Sequence, residues 1–256
     1  MNPLIYAMTI EDYGYDKVHQ YIGKEPSGHK YNSIILNKAN KPHNPCTNAG
    51  AMVVCSLFHP ENKDSTRIKA AMKKFSELAG DTKINFDNQT YLSEKDASDV
   101  NRALSYYLAA KESFPPNTNY STVLDYYLQL CSLELDNKQL ACIASTFANY
   151  GVCPLTGKKV LSTSTAIRTN QITFSCGMFD YSGEWACTVG LPGNSGISGN
   201  LYIVVPGVCG ISIYSPLLND SGNSIRGLEF GKEIVKRFNW NTFDVLESTR
   251  RDSPME

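Results

Sequence analysis

Glu94 and Asn101 stand seven residues apart in Ser93–Lys111, a stretch whose spacing predicts one helix. Seven residues make two turns, so both side chains would share the face that Leu104 and Leu108 continue as the buried side. Polar groups on an apolar face need partners. The pair is either a helix-end carboxylate with a satisfied core amide, or two walls of a pocket for a zwitterionic ligand; spacing alone favours the first. Asn48 opens an Ala-Gly-Ala helix, where N-capping is the default role. It could also offer its amide at a helix N-terminus, where an anion is favoured. Tyr127, one of three tyrosines between 120 and 127, reads by itself as core.

A second feature is LPGNSGISGNLYIVVPG, Leu191 to Gly207, with Gly193, Gly196 and Gly199 at intervals of three. A phosphate-binding loop follows a strand and opens a helix. Here the loop precedes a strand, Leu201–Val205, and lacks a Gly-Lys-Ser/Thr, so the glycines serve some other close approach of backbone. Nucleophile motifs are missing. There is no Gly-x-Ser-x-Gly elbow, and the one Ser-x-x-Lys, Ser27 to Lys30, lies in a polar loop where no helix would align the two side chains. Cys55 and His59 have i, i+4 spacing, but a buried thiol and a helix-end histidine explain them better than zinc, which needs clustered ligands.

The elements that must position these residues come from an ordinary globular composition. The chain has 256 residues, 42% hydrophobic and 19% charged, with a formal net charge of −1. That balance argues against nucleic acid as a partner. The longest largely apolar stretch, Ala49–Phe58, is too short to span a membrane. Eight cysteines without a Cys-x-x-Cys suggest a reducing compartment. Helices are expected over Leu4–Ile10, Asp12–Tyr21, Asn48–Phe58, Asp64–Leu78, Ser93–Lys111, Thr122–Leu133, Gln139–Tyr150, Ser164–Ile172 and Gly227–Phe238. In Asp64–Leu78 the stripe is Ile68, Met72, Phe75 and Leu78, and Thr122 with Asp125 has the spacing of a capping box. Tyr31–Leu36 has a strand-like character, and Trp185–Val189, Leu201–Val205 and Gly210–Tyr214 read as strands of a small antiparallel meander. The class is α/β in the α+β sense, with a sheet short of strands at its N-terminal side.

Four stretches together resemble the glutaminases: YIGKEPSG from Tyr21, KPHNPCTNAGAMVV from Lys41, YLSEKDASDVNRALSYYL from Tyr91 and SCGMFDYSGEWACTVGLPGNSGISG from Ser175. The likeness is to the animal kidney-type and liver-type enzymes. It implies a fold like that of the serine β-lactamases and penicillin-binding proteins, and hydrolysis of L-glutamine to glutamate and ammonia. It also implies no cofactor, phosphate as an activator, and a homo-oligomer, a dimer or tetramer. By resemblance, Asn48, Glu94, Asn101 and Tyr127 hold the amino and carboxylate ends of the amino acid. Phe179 also falls at a substrate position, and the backbone N–H of Ile197 is the implied oxyanion donor. Tyr31–Lys38 resembles the family's gating loop, with Ser33 in place of its usual lysine.

The departures fall on the positions that handle protons. Asn2 stands at the family's Ser-x-x-Lys lysine, Phe179 at its acid/base tyrosine and Asn194 at the lysine of its Lys-Ser-Gly, and the serine itself would precede Met1. The expectation is therefore a truncated, severely impaired amidohydrolase. The alternatives are a non-catalytic protein that binds glutamine, or a subunit assembling with active glutaminases. A single domain is expected over 1–248, helical over about 40–172 and sheet-bearing over about 175–238, with a polar tail at 249–256. The resemblance places it in the mitochondrion or the cytosol, with no targeting segment in the sequence.

Overall fold

The first helix, α1 (Asn2–Tyr13), is buried from Pro3 to Ile10 on every side. A helix apolar all round belongs at the centre of a core, and the rest of the fold wraps this one. In this computed structural model, which describes residues 1–243, α1 continues past the expected boundary until Gly14, at φ 101°, breaks it. Only one turn follows, α2 (Tyr15–Val18). The segment 31–36 forms no strand. α3 (Asn48–Leu57) packs directly on α1 and is wholly buried.

In α4 (Asp64–Leu78) the buried line is Arg67, Ala71, Phe75 and Leu78, one residue round from the expected stripe. Arg67 takes the inward place because its guanidinium caps the end of α3, donating to the carbonyls of Cys55 and Phe58. It also lies 4.0 Å from the Tyr126 ring centroid. A short strand β1 (Asn85–Phe86) leads into α5 (Asn88–Asp96) and α6 (Asp99–Ala110). These two helices correct the expected single Ser93–Lys111 helix. The chain turns at Ala97–Ser98, where the Ser98 hydroxyl donates to the Lys95 carbonyl at 2.7 Å, an alternative to continuing the helix.

Next come α7 (Tyr120–Cys131), β2 (Leu133–Glu134), which pairs with β1, and α8 (Asn137–Ala148). The cap of α7 is Asn119, accepting from the Thr122 N–H at 3.3 Å, and not the expected Thr122–Asp125 box. Asp125 is committed elsewhere: it accepts from Lys95 Nζ at 2.7 Å and from Tyr91 Oη at 2.6 Å, tying α7 to α5. α9 (Thr163–Cys176) and α10 (Ser182–Thr188) complete the helical part. α10 overturns the strand expected at Trp185–Val189. Trp185 is fully buried, donates Nε1–H to the Leu191 carbonyl at 2.7 Å and packs where Gly193 and Gly231 leave room. Tertiary packing overrides the apolar, β-like composition.

The sheet contains β3 (Gly193–Ser195), β4 (Asn200–Val205) and β5 (Cys209–Tyr214), antiparallel in that order. α11 (Ile225–Phe238) covers one face. β4 alternates across the pleat. Leu201, Ile203 and Val205 join Trp185, Leu228 and Val235 under α11, while Tyr202 and Val204 join the core around α1. The small antiparallel sheet flanked by helices is the α+β class expected. The polar tail at 249–256 lies outside the described residues.

Candidate functional site

Where α3, the α5–α6 joint, α7 and the β3–β4 turn converge lies a cavity of about 370 Å³, within the roughly 300–1,000 Å³ typical of small-molecule sites. It is lined by Asn2, Asn48, Glu94, Asn101, Tyr127, Phe179, Asn194 and Ile197, every site position that the family resemblance implied. They come from stretches of chain spread from α1 to the β3–β4 turn, so the fold alone brings them together.

Asn48 is the first residue of α3, but Thr47 caps the helix, its hydroxyl accepting from the Gly50 N–H at 3.3 Å. The Asn48 amide is thereby released from the capping role expected of it. Its Oδ1 accepts from Tyr127 Oη at 3.2 Å, and its Nδ2 donates to Asn101 Oδ1 at 3.0 Å. Asn48 and Tyr127 are buried, and this chain of bonds fixes the amide orientations. The Asn101 Nδ2 has no protein partner among the described residues and faces the cavity as a donor. Gly50 explains how α3 reaches this place: a Cβ there would stand 1.9 Å from the Asn44 carbonyl oxygen. The Asn48 N–H is not open to an anion, because the Tyr31 carbonyl accepts it at 2.9 Å.

Glu94 and Asn101 do not share a helix face. Glu94 sits on α5 and is exposed at the rim, while Asn101 sits on α6 and is half-buried. The turn between the helices aims both at one cavity, helped by the Lys95–Asp125–Tyr91 strut. Burial opposes ionisation of Asp125, but hydrogen bonds from Lys95, Tyr91 and Gln129 outweigh it and hold the carboxyl below its usual range. Tyr31, which site reasoning from spacing did not select, also lines the cavity, its ring centroid 5.1 Å from that of Phe179. Burial, with Glu94 nearby, raises its hydroxyl pKa.

The opposite wall is β3 and its turn to β4. Ser195 N–H donates to the Gly177 carbonyl at 3.1 Å, and a Cβ on Gly177 would meet the Gly193 oxygen at 1.9 Å. Glycine at 177 thus lets α9 touch the wall. Gly199, at φ 96°, closes the turn by donating to the Gly196 carbonyl at 2.9 Å. The Ile197 N–H at the tip has no backbone acceptor among the described residues. Asn194 is buried, and its Nδ2 donates to the Ser195 carbonyl at 3.3 Å. Asn2 donates to the Cys46 carbonyl at 2.8 Å. Ser195 Oγ, next to Asn194, is buried with no partner among the described residues; sequence reasoning did not select it, and its place inside Gly-Asn-Ser-Gly is the signal that could have. Phe179 holds a left-handed φ of 56°, sparsely populated for a bulky side chain. Ser182 fastens it, donating to the Phe179 carbonyl at 2.8 Å and accepting from the Met178 N–H at 3.1 Å.

The other sequence candidates lie elsewhere. Ser27 bonds the backbone of His29 in its own loop. Cys55 is buried, while His59 stands between Asp12 at 3.2 Å and Glu61 at 3.4 Å. Among the described residues no cluster of three or more His, Cys, Asp or Glu is placed to hold a metal, and no helix is long and apolar enough to cross a membrane.

The family model described as Glutaminase matches residues 1–243. The chain is 43% identical over 242 residues to putative glutaminase 2 of Caenorhabditis elegans, covering 94% of this chain and 40% of that protein. To the mitochondrial liver-isoform glutaminase of Rattus norvegicus it is 41% identical over 251 residues, covering 98% of this chain and 42% of that protein. It therefore spans about two fifths of the length of these relatives. Among solved structures, a probable glutaminase, YbaS, superimposes with a TM-score of 0.89 at 33% identity, covering 94% of this chain and 78% of the other. The shared fold is β-lactamase-like. The chain belongs to the glutaminase family.

Proposed function

We propose that this chain binds L-glutamine in the cavity between α3, α6, α7 and the β3–β4 turn, and does not hydrolyse it at a rate typical of its family. The observation that carries the reading is the Tyr127–Asn48–Asn101 chain with Glu94 at its rim. Free glutamine is a zwitterion. Glu94 would face its ammonium group, and the open Asn101 donors would meet its carboxylate. Such charge-assisted contacts are worth about 1.5–3 kcal/mol each once desolvated. The side-chain amide would then lie toward the turn, where the Ile197 N–H is the donor for an oxygen that gains negative charge.

Hydrolysis needs more than binding. A hydroxyl nucleophile must lose a proton to a neighbouring base, and the leaving amine must gain one. At the three positions where the family resemblance sets proton-handling groups, this chain has two carboxamides and a phenyl ring. Neither Asn2, Asn194 nor Phe179 can exchange a proton near neutral pH. Loss of such a unit costs on the order of 10⁶ in rate in a serine hydrolase. The same resemblance extends to assembly. A homo-oligomer, or a hetero-assembly with a full-length glutaminase, would dock through the 31–38 loop, whose Tyr31 both lines the cavity and gives its carbonyl to the Asn48 N–H. We assign it to the mitochondrion or the cytosol on the same footing.

Calorimetric titration of the purified chain with L-glutamine tests the binding half. Saturable heat with L-glutamine and none with D-glutamine is expected. Absence of heat with both would refute it.

A further inference from the structure

Cys142, on α8, and Cys153, in the turn just beyond that helix, approach to an Sγ–Sγ distance of 3.8 Å, and both are free thiols. The turn that holds Cys153 is well built. Its N–H donates to the Lys158 carbonyl at 2.9 Å, its carbonyl accepts from the Gly157 N–H at 2.8 Å, and Val152 bridges to Lys159. Nothing in the glutamine site uses either sulfur. We propose that Cys142 and Cys153 form a reversible redox pair, a modification site where a hydroperoxide writes a disulfide between α8 and its following turn.

The two sulfurs are chemically unequal, as a nucleophile and its resolving partner should be. Burial disfavours the Cys153 thiolate, yet hydrogen bonds from the Thr156 hydroxyl and the N–H groups of Thr156 and Leu155 outweigh it, holding the thiol below its ordinary range. Burial, together with the Cys153 sulfur beside it, pushes Cys142 up to about 12. The other shifted thiols, Cys46, Cys55, Cys131, Cys176 and Cys209, are all displaced upward, chiefly by burial. Both cysteines are buried, and Leu155 stands near Cys142 at the surface. Its side chain is 73% exposed, and a Cβ built on Gly80 would lie 2.9 Å from Leu155 Cδ1 and 3.5 Å from Cys142 Sγ. The absence of a side chain at Gly80 leaves one small space that Leu155 and the Cys142 sulfur both border.

The chemistry balances in two steps. The Cys153 thiolate attacks one oxygen of the hydroperoxide; an S–O bond forms, the O–O bond breaks, and the departing oxyanion takes a proton to become alcohol or water. The Cys142 sulfur then attacks Cys153; the S–S bond forms, the S–O bond breaks, and the hydroxide leaves with the Cys142 proton as water. Two thiols lose two electrons, and the peroxide gains them.

Both cysteines fall in one tryptic peptide, Gln139–Lys158, which makes the test direct. The native protein is treated with hydrogen peroxide, denatured, alkylated and digested. The expected peptide is two hydrogens lighter, carries no alkyl group, and regains two alkylation sites after dithiothreitol. In the Cys142→Val variant the cross-link is lost, and Cys153 is captured as a sulfenic acid by dimedone. Two alkyl groups on this peptide after a treatment that oxidises the exposed Cys187 would overturn the proposal. So would cross-linking of Cys153 to any cysteine other than Cys142.

Discussion

The two walls of the cavity differ in what their polar groups are doing. On the helical wall, Tyr127, Asn48 and Asn101 bond one another in a line that ends on open amide donors, with the Glu94 carboxylate nearby. On the opposite side, Asn194 satisfies its amide on the next residue's carbonyl and Phe179 has no polar group to offer, while Asn2, beside Tyr127, spends its amide on the carbonyl of Cys46. One wall is preorganised toward a charged ligand; the other keeps the backbone shape of a hydrolase pocket around neutral side chains. On the proposed reading, recognition and proton transfer fall to different elements of the fold, so that the first could be kept without the second.

Substitutions on the two walls sharpen the contrast. Glu94→Ala should weaken glutamine binding roughly 10- to 100-fold by calorimetry, whereas Asn194→Ala should change it by less than about threefold. An equal loss from both would erase the distinction. Asn48→Ala leaves the buried Tyr127 hydroxyl without its acceptor. It should cost about 1–3 kcal/mol of stability, read as a lower urea midpoint with an unchanged slope.

The smallest effect concerns pH. The Asp125 carboxyl ionises more readily in the folded chain than in the unfolded one. Its contribution is fully present above about pH 4 and is lost as pH falls through its lower folded pKa. Lys95 and Asp125 are 48% and 33% exposed, so the strut contributes under about 1 kcal/mol. Asp125→Asn should flatten this acid limb in a thermal-melt series; an unchanged limb would count against the strut.

Much of this was legible in the residues. The amphipathic helices, the Leu201–Val205 strand and the glycine wall follow from periodicity and turn chemistry, and the site residues identified by resemblance do meet in one cavity. What escaped the sequence were choices made by tertiary contacts. Ser98 ends α5 by bonding the Lys95 carbonyl, so Glu94 and Asn101 meet across a joint and not along a face. Arg67 is drawn inward by the carbonyls at the end of α3. Trp185 sits in a helix because Gly193, Gly231 and the Leu191 carbonyl make a place for its ring. Thr47 takes over the cap of α3 and frees Asn48 for the ligand wall. Periodicity reads none of these partners: Gly231 is far from Trp185 in sequence, the Leu191 carbonyl and the end of α3 lie across a turn from the residues they hold, and Ser98 and Thr47 choose among several local options.

The central claim, recognition without turnover, can be read in a single experiment. L-Glutamine carrying ¹⁵N in its side-chain amide is followed by NMR with the purified chain. The account predicts saturable broadening of the glutamine amide signal and no growth of ¹⁵N-ammonium above a protein-free control. Ammonium appearing at a rate typical of the family, or an amide signal unmoved by the protein, would contradict it.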